Sequence, residues 1–219
     1  MKEKNLKLYK EGIPESDIQK IIKTIEVIGK NPIALGHGMA AKVYTFKDQP
    51  FCIKEITNEN PKYSFNDTER EMEIQMDVVR MGIRSPYPIL ILEKEQGRKF
   101  VAMETIKGGS LRDVEEKRIV LPKDFDNKSF FDEVAQMVKI LHENNLYHRD
   151  LHTGNIMFEM QKDKCIPVII DFGHSSYIYG NDNPYREEDF PRPGKTLILL
   201  NDDEQVNMIK NKKAFNLTE

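Results

Sequence analysis

Tryptophan is absent from this chain, and cysteine occurs only twice, at Cys52 and Cys165. Two thiols without a C-x-x-C or similar spacing exclude a structural zinc site and give no disulfide framework. Both lie in apolar, strand-like runs, "PFCIKEI" and "KCIPVIID", so they read as buried free thiols. Long hydrophobic runs are missing too. No stretch approaches the roughly 20 apolar residues of a membrane span. The opening "MKEKNLKLYKEG" has no apolar core of the Sec-signal type. The expected setting is a reducing cytoplasm, or secretion by a signal that composition does not reveal. A strong charge excess is also lacking: the net charge is −3. That argues against a general nucleic-acid binder or a polybasic membrane surface, so neither is expected as a partner. No internal repeat or low-complexity tract appears.

What is present is a change of period along the chain. "PESDIQKIIKTIEVIGKN" spaces Ile18, Ile21, Ile22, Ile25 and Ile28 as one helix face, with Ser16 or Asp17 as its cap. "PIALGHG", "AKVYTF" and "PFCIKEI" then read as three antiparallel strands. "FNDTEREMEIQMDVVRMG" is helical, capped by Asn66 or Asp67 and closed by Gly82. "YPILILEK" and "KFVAMETI" complete a five-stranded sheet with one inserted helix. After Gly108-Gly109 the pattern turns mainly helical. "NKSFFDEVAQMVKILHENN" carries Phe130, Val134, Met137, Val138 and Leu141 on one face. The expectation is an α+β chain of two lobes with a cleft between them. Residues 1–30 form a helical extension, 31–106 a β-rich lobe and 107–219 a shortened, mainly helical lobe.

Five features carry the chemistry. In "LGHGMAAKVY", Gly36 and Gly38 sit in a turn where backbone can approach a triphosphate without hindrance from a Cβ. Lys54 stands in an apolar strand, and Glu71 follows on the next helix. An ion pair between them would hold the ammonium ready for α- and β-phosphates. Glu71 is preferred over Glu69 and Glu73 because Ile74 and Val78 follow it at core-facing spacing. "LYHRDLHTGNIMF" sets Asp150 two residues after His148 and five before Asn155. Finally, Asp171 ends the buried strand "PVII" and precedes Phe172-Gly173, which suits a metal ligand beside a hinge.

In this order the motifs resemble those of the protein kinase superfamily over residues 31 to 175. "HRDLHTGN" is similar to the catalytic loop H-R-D-L-x-x-x-N, "DFG" to the metal-binding motif, "CIK" to the ATP-lysine strand and "AMETIKGGSL" to the hinge. The resemblance implies ATP as phosphoryl donor and Mg²⁺, or alternatively Mn²⁺, as the metal. Asp150 would be the catalytic carboxylate, orienting the acceptor hydroxyl and taking its proton. Asn155 and Asp171 would hold the metal, and His148 would pack on Phe172. Gly36, Gly38 and Val43 belong to the glycine-rich pattern, whose third glycine is here Ala41. Met103 would guard the back of the adenine pocket, with Glu104 and Ile106 offering backbone groups to the adenine edge.

The departures matter as well. His152 replaces the lysine usual in Ser/Thr kinases and either contacts the γ-phosphate or packs. "DLHxGN" is similar to aminoglycoside-phosphotransferase-type small-molecule kinases, whereas Arg149 and DFG match the protein-kinase side. No A-P-E motif follows Gly173, and the remaining stretch is too short for the usual helical subdomain. "PGKT" at 193–196 lacks the first glycine of a phosphate-binding loop and reads as a turn into "TLILL". Asp202 or Asp203 either braces the catalytic loop or caps the last helix. The short second lobe with "DLxTGN" resembles the compact effector kinases that pathogenic bacteria inject into host cells, the OspG and NleH group. That resemblance implies a host protein substrate and a host activator such as a ubiquitin-charged conjugating enzyme. The readings to separate are a minimal protein Ser/Thr kinase, a small-molecule kinase, and a pseudokinase serving as a binding module.

Overall fold

Short strands buried on both faces build the first half of the molecule. The structure is a computed structural model that describes residues 5–28, 33–37, 41–46, 49–56, 67–94, 97–161, 164–180 and 201–215. Gly38, Asn66 and the "PGKT" and "TLILL" segments lie outside these residues. The chain divides into two compact units. Unit 1 comprises Met1–Asp77 and Pro86–Thr105, and unit 2 comprises Val78–Ser85 and Ile106–Glu219.

Unit 1 contains the five expected strands: β2 (Ile33–His37), β3 (Ala41–Thr45), β4 (Phe51–Ile56), β5 (Pro88–Glu93) and β6 (Lys99–Glu104). A sixth, β1 (Asn5–Leu8), adds antiparallel to β5, giving the order β1-β5-β6-β4-β3-β2. Residues 1–30 therefore contribute a strand to the sheet as well as the helix α1 (Glu15–Glu26). Pro14, not Ser16 or Asp17, is the N-cap of α1. Its fixed φ of −60° sets the chain direction there, and no side chain caps the helix.

Side chains alternate across the sheet, so each strand serves two faces. Phe51, Ile53, Leu90, Leu92, Phe100 and Ala102 face one way and pack against Ile18, Ile21, Ile22 and Ile25 of α1. Each isoleucine so buried contributes about 1.5–3 kcal/mol. The opposite face carries Ile91 and Val101, which pack on Met72 of α2 (Thr68–Arg80). Asp67 caps α2 by accepting from the amides of Glu69 and Arg70. Gly82, at φ 82°, closes the turn after it, where a Cβ would be strained.

Unit 2 is built on α4 (Asn127–Glu143), whose Phe130, Phe131, Val134, Val138 and Leu141 are buried. The short α3 (Leu111–Glu115) starts at a Ser110 capping box closed by Asp113. β7 (Gly108–Ser110) pairs with β9 (Ile156–Gln161), which pairs with β10 (Lys164–Ile169). Gly108 has no room for a side chain, since a Cβ would fall 1.8 Å from the carbonyl oxygen of Phe158. β8 (Leu146–Tyr147) pairs with β11 (Ser176–Tyr177), and α5 (Asp202–Lys210) packs on α4. Asn201 caps α5, with Glu204 completing the box. The architecture is α+β and kinase-like. Among the described residues, no helix is long and apolar enough to cross a membrane.

Candidate active site

In unit 1 one transverse row of the sheet carries the candidate phosphate-binding residues. Gly36 is paired with Val43, Val43 with Lys54, Lys54 with Val101, Val101 with Ile91, and Ile91 with Lys7. Directly opposed residues share a face, so this row lies on the α2 side. Lys54 Nζ stands 2.6 Å from Glu71 Oε1, with both side chains largely buried. Glu69 and Glu73 do not compete for Lys54. Two residues along a helix is a rotation of about 200°, and both glutamates bind Lys7 instead, at 2.9 and 2.8 Å.

The remaining unit 1 residues of the candidate set are partly placed. A bulge between Ala34 and Gly36 shifts the register of β2 against β3. Met103 packs, half-buried, on the Met72–Ile91–Val101 cluster. The Glu104 amide donates to Tyr87 O at 2.9 Å, and its carbonyl accepts from Cys52 Sγ at 3.7 Å. Its side-chain Oε2 accepts from the Tyr87 amide. Burial pushes the Cys52 thiol up to about 12, so this cysteine is an inert core residue. Ile106 is buried at the start of the second segment of unit 2.

In unit 2 the stretch 148–155 is fixed mostly through its backbone. Asp202, fully buried on the first turn of α5, accepts from the His148 amide at 2.9 Å and the Arg149 amide at 2.8 Å. His142 Nε2 is 3.1 Å from the same carboxylate. Burial alone would raise the Asp202 carboxyl. The bond with His142, the His148 ring and the two amides outweigh it and hold the group below the usual carboxylate range. Of the two aspartates weighed from sequence, Asp202 braces the loop, whereas the Asp203 side chain is exposed. Arg149 takes φ 71°, a left-handed conformation that costs an arginine about 1–2 kcal/mol. The two amide bonds to Asp202 hold that backbone in place.

His148 is fully buried against Phe172, ring centroids 5.0 Å apart. Its Nδ1 accepts from the Asp150 amide at 3.3 Å, so Nε2 carries the proton and donates to Ile170 O at 3.1 Å. Asn155 Nδ2 donates to Asp150 O at 2.9 Å and lies 3.5 Å from Asp150 Oδ2. That fixes the amide's orientation and leaves Asn155 Oδ1 as the face for a cation. Pairing of Ile169 with Ile156, and the bond from the Ile170 amide to Asn155 O, bring Asp171 to the same end of the β9–β10 hairpin. Asp171 is exposed and, at φ 66°, is also left-handed.

The donor set fits a hard divalent cation. Among the described residues no three His, Cys, Asp or Glu side chains converge as a metal site. One carboxylate and one amide oxygen are hard ligands too few to enclose an ion. Mg²⁺ is commonly bound in that way, with phosphates and water filling the other positions.

His152 is fixed by both of its ring nitrogens. Its Nδ1 accepts from the Gly154 amide at 2.9 Å and faces Arg112 Nη2 at 3.3 Å. Nε2 therefore carries the proton, 3.8 Å from Asp150 Oδ2. Burial lowers the ring's pKa, and Asp150 pulls against that shift, so the neutral form is favoured. Arg112 and His152 close over Gly154, where a Cβ would meet both at under 3.0 Å. Thr153 is anchored as well: its Oγ1 donates to Glu115 Oε2 at 2.5 Å, and Lys212 pairs with Glu115 Oε1 at 2.7 Å. No motif pointed to Arg112, Glu115 or Lys212. Lys7 was also missed, although "LKLY" has the period-two alternation of a strand.

The geometry thus defines a two-unit α+β protein with a lysine–glutamate pair in one unit and an anchored Asp–Asn loop in the other. A profile of the protein kinase domain matches residues 30–189. The chain belongs to the protein kinase family. It is 29% identical over 116 residues to a probable bifunctional tRNA threonylcarbamoyladenosine biosynthesis protein of Methanosphaera stadtmanae, covering 53% of this chain and 19% of that protein. It is 23% identical over 176 residues to the ovarian-specific serine/threonine-protein kinase Lok of Drosophila melanogaster, covering 76% and 35%. It is 28% identical over 151 residues to calcium/calmodulin-dependent protein kinase type 1 of Caenorhabditis briggsae, covering 64% and 40%. The chain spans between about a fifth and two fifths of the length of these relatives.

Proposed function

We propose that the protein transfers the γ-phosphoryl group of ATP, with Mg²⁺, to Ser or Thr hydroxyls of a protein. The observation that carries this reading is the anchoring of residues 148–155: Asp202 holds two consecutive amides, and Asn155 bonds the backbone and approaches the carboxylate of Asp150. Phosphoryl transfer asks for positioning and charge neutralisation more than for covalent chemistry from the protein. Asp150 orients the acceptor hydroxyl and receives its proton. Lys54, held by Glu71, grips the α- and β-phosphates. Asn155 Oδ1 and Asp171 would hold the metal, which when bound would supply charge neutralisation at the phosphates. Gly36 and Val43 belong to the covering strands, and the segment from Met103 to Ile106 meets the adenine. All five polar residues of this scheme are present, which counts against a pseudokinase.

A finer proposal is that the protein is a bacterial effector acting on host proteins, with a host activator such as a ubiquitin-charged conjugating enzyme. Its support is the likeness of "DLHTGN" to that group. Its place of action would then be a host cell reached by a non-Sec route, with the cytoplasm as the default otherwise. One observation favours a second reading, transfer to a small molecule: neutral His152 stands beside Asp150 where Ser/Thr kinases usually carry lysine.

The test is to incubate the protein with labelled ATP and Mg²⁺. Acceptors are none, generic basic proteins, the same proteins plus a ubiquitin-charged conjugating enzyme, and a panel of aminoglycosides and small alcohols. Label is expected on protein Ser or Thr and should increase with the activator. Label only in the small molecules would overturn the protein-kinase reading, and Mn²⁺ supporting transfer where Mg²⁺ does not would overturn the choice of metal.

A further inference from the structure

Helix α2 is gripped from both flanks. Met72, fully buried, points down onto Ile91 and Val101 in the middle strands. One residue back, Glu71 turns to Lys54 on β4. One residue on, Glu73 turns the other way, and with Glu69 it binds Lys7 on the edge strand β1. Lys7 and Lys54 lie on one transverse row of the sheet, joined through Ile91 and Val101. A second tie comes from the next residue but one on the same face. Tyr9 OH reaches the carbonyl of Glu69 at 3.4 Å, and the Tyr9 ring packs beside Met72 and Ile91. The Tyr9 amide is bonded to Ile89 O, which carries the chain onward from the end of β1 along β5.

The geometry matters because Glu69 and Glu73 are one helical turn apart, about 6 Å, and one ammonium spans them. Rotating α2 by one residue, about 100°, or sliding it by 1.5 Å, would break the Lys7 fork and the Lys54–Glu71 pair together. From this we propose that β1 is a brace for α2 and that Lys7 is a positioning residue, acting through Glu71 to present Lys54 to nucleotide phosphates. The proposal rests on the kinase reading above. The Lys7 side chain contacts Glu69, Glu73 and the Tyr9 ring. It biases the helix position on which the ammonium depends. Both Lys7 pairs are partly exposed, so the effect is modest and sensitive to salt.

The experiment compares the full chain with Lys7→Ala, Lys7→Arg and the swap Lys7→Glu/Glu73→Lys. Each is made in the wild-type background, and Lys7→Ala also in a Glu71→Gln background. Labelled transfer to a generic protein, Mg–ATP affinity by calorimetry and thermal stability are read for each. Lys7→Ala is expected to lower kcat/KM for ATP about fivefold. Lys7→Arg should retain activity, and the swap should recover at least half of the loss. In the Glu71→Gln background Lys7→Ala should cost nothing further, because the residue through which it acts is already altered. Equal losses in both backgrounds, or a lower melting temperature with unchanged kcat/KM, would overturn the brace as a catalytic device. If the wild type neither binds Mg–ATP nor transfers phosphate, the kinase reading falls and takes this one with it. If it does both and Lys7→Ala matches it, the brace alone falls.

Discussion

Lys54 and Asp150 are held by different physical means. In unit 1 the holding is done by side chains. Lys54 is ion-paired to Glu71, and the helix bearing Glu71 is tied at its other flank by the partly exposed Lys7 pairs. In unit 2 the holding is done by backbone amides on a buried carboxylate, Asp202, with Asn155 and His148 bonding Asp150 directly. Exposed ion pairs are weak and screened by salt, whereas buried charge-assisted hydrogen bonds are strong and costly to break. The difference marks the Lys54 side as adjustable and the Asp150 side as fixed.

The largest effect expected to test this contrast is on rate. Lys54→Ala should lower kcat/KM by about 10²–10³-fold, the usual cost of removing one positioned donor, with little change in stability. Glu71→Gln should cost less, because Lys54 would keep its charge and lose only its orientation. Steady-state kinetics on both variants check the order, and a Glu71→Gln loss exceeding that of Lys54→Ala would break it.

Next in size is a stability effect confined to unit 2. Asp202→Asn removes the acceptor for one of two buried amides and the partner of His142, which should cost about 2–4 kcal/mol. For a chain of this size the melting temperature should fall by about 10 °C. The pH dependence has a definite sign. The folded Asp202 pKa is depressed, so its contribution is present above the unfolded value of about 3.9 and is lost as pH falls through the lower folded value. Wild-type stability should therefore drop on acidification below about pH 4, more steeply than that of Asp202→Asn. Parallel acid limbs in thermal melts would refute the assignment.

The smallest effect sharpens the comparison from the other side. Raising salt from 0.05 to about 1 M shortens the screening length to about 3 Å. It should lower the activity ratio of wild type to Lys7→Ala toward one, while leaving the stability difference between wild type and Asp202→Asn nearly unchanged. Melts and initial rates across a salt series decide it.

Much of this was readable in the sequence, for a physical reason. The motifs are local, and the five strands and the α2 and α4 helices declare themselves by period. What was not readable depends on pairing between distant segments. β1 is short, carries Asn5 and Lys7, and becomes a strand because β5 offers it an edge. Ser16 and Asp17 look like caps, yet Pro14 caps α1 two residues before the first of them. The choice between Asp202 and Asp203 rests on which carboxylate turns inward, a matter of packing against α4 and the 148–155 stretch. His152 posed the same difficulty, since its two nitrogens acquire roles only through Gly154, Arg112 and Asp150.

The central claim is that Asp150 acts on the acceptor and not on the nucleotide. It is tested most directly by measuring labelled phosphate transfer and Mg–ATP affinity side by side for wild type and Asp150→Ala, with thermal melts confirming that both are folded. The account predicts that transfer falls by about 10²-fold or more while Mg–ATP affinity stays within about threefold, roughly 0.7 kcal/mol. Transfer at the wild-type rate by folded Asp150→Ala would contradict it.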